Sequence, residues 1–154
     1  MFKKPLKVAI IGKLDTKFYA PFYDKSYQIW GCNKHKDMRL IPRYDLWFDL
    51  HDKNTNRFNK LDLKPLITCD EYPYKQIIKM LGGLRFNNSM SMMIAYAIYK
   101  GAKEIRLYGC RFENDIENRT KQRANVVNML FFAMGKGIKV YCYDNLIKEY
   151  ELYK

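Results

Sequence analysis

The sequence predicts an α/β fold built on a mostly parallel sheet, and three observations predict it. Short, apolar, β-branched runs recur along the chain, the form of strands buried on both faces. Through the C-terminal half these runs alternate with helix-like segments that close on glycine, the pattern of parallel strands joined by helical crossovers. Composition agrees: 154 residues, 48% hydrophobic and 16% aromatic, are enough for one domain, residues 1–154, with a core of its own.

Taken in order, Leu6–Gly12 (LKVAIIG) reads as the first strand and Tyr27–Asn33 (YQIWGCN) as the second. Tyr44–Leu50 (YDLWFDL) is a third, and Lys64–Asp70 (KPLITCD) is a short fourth between Pro65 and Asp70. AKEIRLYGC, from Ala102, and GIKVYCYD, from Gly137, complete the set. Tyr74–Gly83 reads as a helix stopped by a glycine pair. Asn88–Gly101 (NSMSMMIAYAIYKG) is a second, capped by Asn88 or Ser89; being apolar nearly all round, it should lie inside the fold. The third, Glu117–Gly137, carries Val127, Leu130, Phe131 and Met134 at helical spacing. HDKNTNRFNK, from His51, reads as a surface loop. The sum is a Rossmann-like three-layer sandwich.

No apolar run reaches the length of a membrane span, and the basic start MFKKPLK precedes only a short strand. A cytoplasmic protein without membrane attachment is expected. Cys32, Cys69, Cys110 and Cys142 are widely spaced with no Cys-x-x-Cys pair, so reduced core thiols and no metal are expected, and no cofactor is called for. The 28 basic residues outnumber 16 acidic ones for a net charge of +12. That balance suits nucleotides, other phosphate-bearing molecules or nucleic acid, and equally suits plain solubility. The Tyr and Phe content leaves room for an aromatic interface between copies of the chain.

In an open parallel sheet, ligands bind beyond the carboxyl ends of the strands. That rule selects the loops after Gly12, Asn33, Asp49 and Gly109, and the helix start at Asn88. The first loop, GKLDTKF, lacks the G-x-G-x-x-G of a dinucleotide site. Lys13 could still meet a phosphate, while Asp15 or Thr16 could cap a following helix. Asn33 either makes a turn or offers its amide to a ribose or base. His51 stands between Asp49 and Asp52, so it could act as a general base oriented by a carboxylate, or be an ordinary loop histidine. RFNNSMS places Arg85, Asn88, Ser89 and Ser91 around a helix N-terminus, where free N–H groups and the dipole favour an anion. Gly109 permits close approach of a backbone or a ligand and is followed by Arg111. Arg119 and Arg123 lie one turn apart on a single helical face, which is solvated by default and would serve nucleic acid in a basic binding module.

Four stretches together, VAIIG, IWGCN, RYDLWFDLHD and NNSMSMMIAYAIYKGAKEIRLYGCRF, resemble a group of small Rossmann-like proteins common in bacteriophages. The last stretch is also similar to bacterial sialyltransferases of the CMP-sialic acid type and to archaeal pterin pyrophosphokinase-like proteins. The phage likeness spans most of the chain and implies a protein that modifies or sequesters a nucleotide. The sialyltransferase likeness spans little more than Asn87–Phe112 and Asn33. It implies that Asn33 and Asn88–Ser89 hold a nucleotide, and it aligns the family's G-x-D-F turn with Gly109–Phe112. Arg111 stands where that family has Asp, and KLDT replaces its glycine- and serine-rich first loop. Two expectations follow: a binding protein for a nucleotide-derived anion, or a glycosyltransferase-like enzyme using His51.

Overall fold

The computed structural model describes residues 4–34, 36–54, 62–110 and 117–144, with side chains left out over 117–120. Six strands form one sheet: β1 Lys7–Ile11, β2 Tyr27–Cys32, β3 Leu46–Asp49, β4 Leu66–Thr68, β5 Glu104–Tyr108 and β6 Lys139–Cys142. Every pairing is parallel, in the order β4-β3-β2-β1-β5-β6. The α/β, Rossmann-like class expected from the sequence is the one observed. β1 runs through the middle; Val8, Ala9, Ile10 and Ile11 are at most 1% exposed, which is why the run has no polar alternate.

Side chains alternate between two cores. Val8 and Ile10 join Trp30, Phe48, Ile105 and Leu107 on one face, beneath the helices α1 Tyr74–Leu81, α2 Ser89–Tyr99 and α3 Glu117–Gly135. Ala9 and Ile11 join Ile29, Trp47 and Tyr108 on the other, together with Ala20 and Phe22. That second face is covered more thinly, by loops and the 3-10 helices Asp15–Tyr19 and Met38–Leu40. The β1–β2 and β2–β3 connections carry these 3-10 helices where a Rossmann-like sheet more often has α-helices.

The predicted interior helix is α2: eight of its residues are buried, and it packs against both α1 and α3. On α3 the buried stripe differs from the expected one. Val126, Val127, Met129, Leu130 and Ala133 face the core, whereas Phe131 and Met134 are 43% and 44% exposed. Phe131 lies past the edge of the stripe that Val127 bounds, whereas Met134 shares its direction but sits in the last turn, next to the terminal Gly135. The expected loop from His51 falls largely outside the described residues. Among the described residues, no helix is long and apolar enough to cross a membrane.

At the amino edge of the sheet, Glu104 accepts hydrogen bonds from the Tyr27 hydroxyl and, at 2.6 Å, from Arg106 Nε. Arg106 also stacks over the Tyr27 and Tyr141 rings. Burial works to raise the Glu104 carboxyl. The Tyr27 and Arg106 bonds, with the charges of Arg106 and Lys7, outweigh burial and hold it below its ordinary 4.5. A carboxyl lowered in the folded state stabilises the fold above its ordinary value, and that contribution is lost as pH falls through the lowered one. Acid unfolding monitored by circular dichroism should therefore show a shallower dependence on pH below 4.5 in Glu104→Gln than in the parent. Parallel acid limbs would remove Glu104 from the explanation.

Candidate functional site

The strand order reverses at β1: β2, β3 and β4 extend to one side and β5 and β6 to the other. Beyond the carboxyl ends at this switch point lies a cavity of about 510 Å³. Its base is formed where two glycines meet. Gly12 N–H donates to Tyr108 O at 2.7 Å, and Leu14 N–H donates to Gly109 O at 3.2 Å. A Cβ on Gly12 would stand 2.2 Å from Gly109 O, and one on Gly109, which has φ +68°, would stand 2.8 Å from Leu14 O. Close backbone approach is what both glycines serve, the partner being another backbone.

The first loop is braced from below by Lys17, a fully buried lysine. Its Nζ donates to Lys13 O at 3.0 Å, Leu14 O at 3.4 Å and Asp37 Oδ2 at 3.2 Å. This side chain tells nothing of its role in a lysine-rich sequence. Neither Asp15 nor Thr16 caps the 3-10 helix that follows, contrary to expectation; Leu14 occupies the cap position. The Asp15 side chain is 95% exposed, and Thr16 Oγ1 donates instead to Asp144 Oδ1 at 2.5 Å. Asp144 also accepts from Cys110 N–H at 3.0 Å, so the ends of β5 and β6 are tied to the first loop.

Asn33 follows β2 with φ +60°, a conformation that asparagine tolerates better than other non-glycine residues. Its N–H donates to Phe48 O at 2.8 Å, and its carbonyl accepts from Trp47 Nε1 at 3.1 Å. Trp47 can reach across because Gly31 has no side chain; a Cβ there would lie 2.3 Å from the indole. The Asn33 amide, so held, faces Ser89 Oγ across the cavity at 3.5 Å.

The start of α2 divides its roles. Asn88 is the N-cap: its Oδ1 accepts from Ser91 N–H at 2.9 Å, while its Nδ2 donates to Asn87 Oδ1 and Gln122 O. Ser91 is fully buried and its Oγ donates to Asn88 O at 2.9 Å. The Ser91 hydroxyl is thus part of the cap and does not line the cavity, a correction to its expected ligand role. Asn88 lines the cavity with its carboxamide already committed. Ser89 and Met90 occupy the first helical turn, whose N–H groups have no carbonyl one turn earlier, and among the described residues none accepts from them.

At the exit of β3, His51 Nδ1 lies 3.0 Å from Asp49 Oδ1, and Asp49 is fully buried. This pairing favours the tautomer with hydrogen on Nδ1 and leaves Nε2 as the basic nitrogen. Asp52, the other candidate orienter, accepts from Asn54 N–H.

One cavity therefore brings together Gly12, Lys13, Asn33, His51, Asn88, Ser89 and Gly109, with Asp49 behind His51. Sequence reasoning missed Asn87 and Gln122 on its rim and the sulfur-rich lining of Cys32, Met90, Met92 and Cys110. Among the described residues no acidic side chain lines it. Arg85 is elsewhere: it borders a separate hollow with Tyr74, Ile78 and Phe86, because Asn125 Nδ2 holds its carbonyl against α3. On α3 it is Gln122 that faces the cavity; Arg123 is half-buried and does not line it. Arg111 and the Arg119 side chain lie outside what is described.

The four thiols are free. Burial pushes Cys32 and Cys142 up to about 12, and raises Cys69 and, further, Cys110. Those groups stay protonated at neutral pH and are poor nucleophiles. Among the described residues, no three His, Cys, Asp or Glu side chains converge as metal ligands would.

No family model matches the chain, and no curated protein does. Among solved structures, the sialyltransferase CstII from Campylobacter jejuni, in complex with the substrate analogue CMP-3FNeuAc, is similar over 91% of this chain and 82% of its own. Identity is 17% and the TM-score 0.46, a depth of likeness that leaves ligand and chemistry to be read from the residues themselves.

Proposed function

We propose that the chain binds a nucleotide or a nucleotide-derived anion in the switch-point cavity. The observation that carries this reading is the convergence of Lys13, the Asn33 amide, the Ser89 hydroxyl and the open N–H groups of α2 on one cavity with no acidic lining among the described residues. The cation and the helix dipole favour a phosphate, the carboxamides suit ribose or base edges, and the methionines suit an apolar ring face. The nucleic-acid module finds less support, since Arg123 is half-buried and engaged within the fold.

A second reading, a nucleotide-dependent transferase, is favoured by one specific arrangement: a buried carboxylate orienting a histidine whose ring borders the same cavity. In it His51 Nε2 takes the proton of an acceptor hydroxyl as that oxygen bonds the transferred group of a nucleotide-activated donor, while the bond from that group to the nucleotide phosphate breaks and the nucleotide leaves with the electron pair as its phosphate anion.

One experiment addresses both. Mono-, di- and cyclic nucleotides and nucleotide sugars are screened by thermal shift, and hits are measured by calorimetry. A hit is expected, with affinity reduced about tenfold in Ser89→Ala, the scale of one charge-assisted hydrogen bond. No shift with any compound removes the binding reading, and undiminished affinity in Ser89→Ala reduces the helix start to a cap. With a nucleotide-sugar hit, turnover that His51→Ala abolishes while binding persists supports the transferase; unchanged turnover ends it.

A further inference from the structure

A second cavity, of about 670 Å³, opens on the other face of the sheet and shares no lining residue with the first. Its walls are apolar: Met38, Leu63, the Tyr44 ring and, at its base, Trp47. Tyr44 and Trp47 meet edge to face, with ring centroids 5.3 Å apart. Around the mouth stand three exposed cations, Lys34, Lys36 and Arg39. Against them the described lining sets one carboxylate, Asp62.

Lys34 directly follows Asn33, whose backbone Trp47 holds, so the stretch that carries the cations is anchored at its start. Asp37, the acidic residue within that stretch, is turned inward to the buried Lys17 and does not neutralise the rim. Exposed cations alone would be an ordinary solvated surface. Grouped around an aromatic hollow, they combine a charge requirement with a shape requirement.

We infer that this cavity is a second binding site, for a small amphipathic anion. Its flat apolar body would lie against Tyr44 and Met38, and its acidic group would meet the Lys34–Lys36–Arg39 rim. Neither half of that chemistry suffices alone: an inorganic anion leaves the aromatic wall unfilled, and a neutral aromatic leaves the rim unpaired. This site is independent of the switch-point reading.

The test uses two dyes of related shape, anilinonaphthalene sulfonate and the uncharged phenylnaphthylamine, titrated into the full chain and followed by dye fluorescence. Saturable one-to-one binding of the sulfonate is expected, with the neutral dye about tenfold weaker. Lys34→Glu/Lys36→Glu/Arg39→Glu should weaken the sulfonate by about tenfold or more. The same charge reversal elsewhere, Lys100→Glu/Lys136→Glu/Lys139→Glu, should change it far less. All six side chains are exposed, so neither variant threatens the core. No sulfonate binding, equal affinity for both dyes, or equal losses in the two triple variants would each overturn the proposal.

Discussion

Gly12→Ala is expected to destabilise the fold by about 3 kcal/mol, at the upper end of what overpacking costs. The added methyl would lie 2.2 Å from Gly109 O and 2.8 Å from Gly109 C, and both are backbone atoms with no rotamer to yield. Relief requires β1 and β5 to separate at their carboxyl ends, which breaks the Gly12 N–H to Tyr108 O bond and the Leu14 N–H to Gly109 O bond. Gly109→Ala should be comparable, since its methyl meets Leu14 O at 2.8 Å and its φ of +68° strains any side chain. Urea denaturation is the measure, with a thermal midpoint lower by roughly 6–12 °C. A change below about 0.5 kcal/mol in Gly12→Ala would mean that the two turns are looser than they stand here.

That pair of glycines marks where sequence reading succeeds and where it stops. Gly12 announces a strand end because an apolar run halts there, and the parallel sheet follows from runs of that kind. What Gly12 is for depends on Gly109, which is distant in sequence and adjacent only once β1 and β5 pair. The Asn88 cap was legible because its partner, Ser91, is three residues away. The Asp49–His51 pair was legible for the same reason, as residues two apart at a strand end share a face. Proximity in sequence alone groups Arg85 and Ser91 with the site. A cap consumes Ser91, and the turn before α2 carries Arg85 to another hollow. Gln122, Asp144 and Lys17 reach their places through tertiary packing, and no local pattern distinguishes them from neighbouring polar residues.

Lys17 is the residue on which the first loop depends, and its carboxylate partner supplies the second large effect. Asp37→Ala leaves a fully buried ammonium with two carbonyls, Lys13 O and Leu14 O, and, among the described residues, with the exposed Asp15 carboxylate, 3.8 Å away, as its remaining counter-charge. Removing one partner of a buried pair typically costs 3–5 kcal/mol, because the remaining charge keeps its desolvation penalty. The Asp37 side chain is 19% exposed, so water can reach part of the gap and the lower end, about 3 kcal/mol, is expected. Lys17→Met removes the charge itself and should cost less than Asp37→Ala. The double variant Lys17→Met/Asp37→Ala should then be more stable than Asp37→Ala alone, a coupling that chemical denaturation of the four-member cycle reads directly. Strict additivity of the two substitutions would mean that the ammonium is satisfied by the loop carbonyls, and that Asp37 serves only to shape the β2–β3 connection.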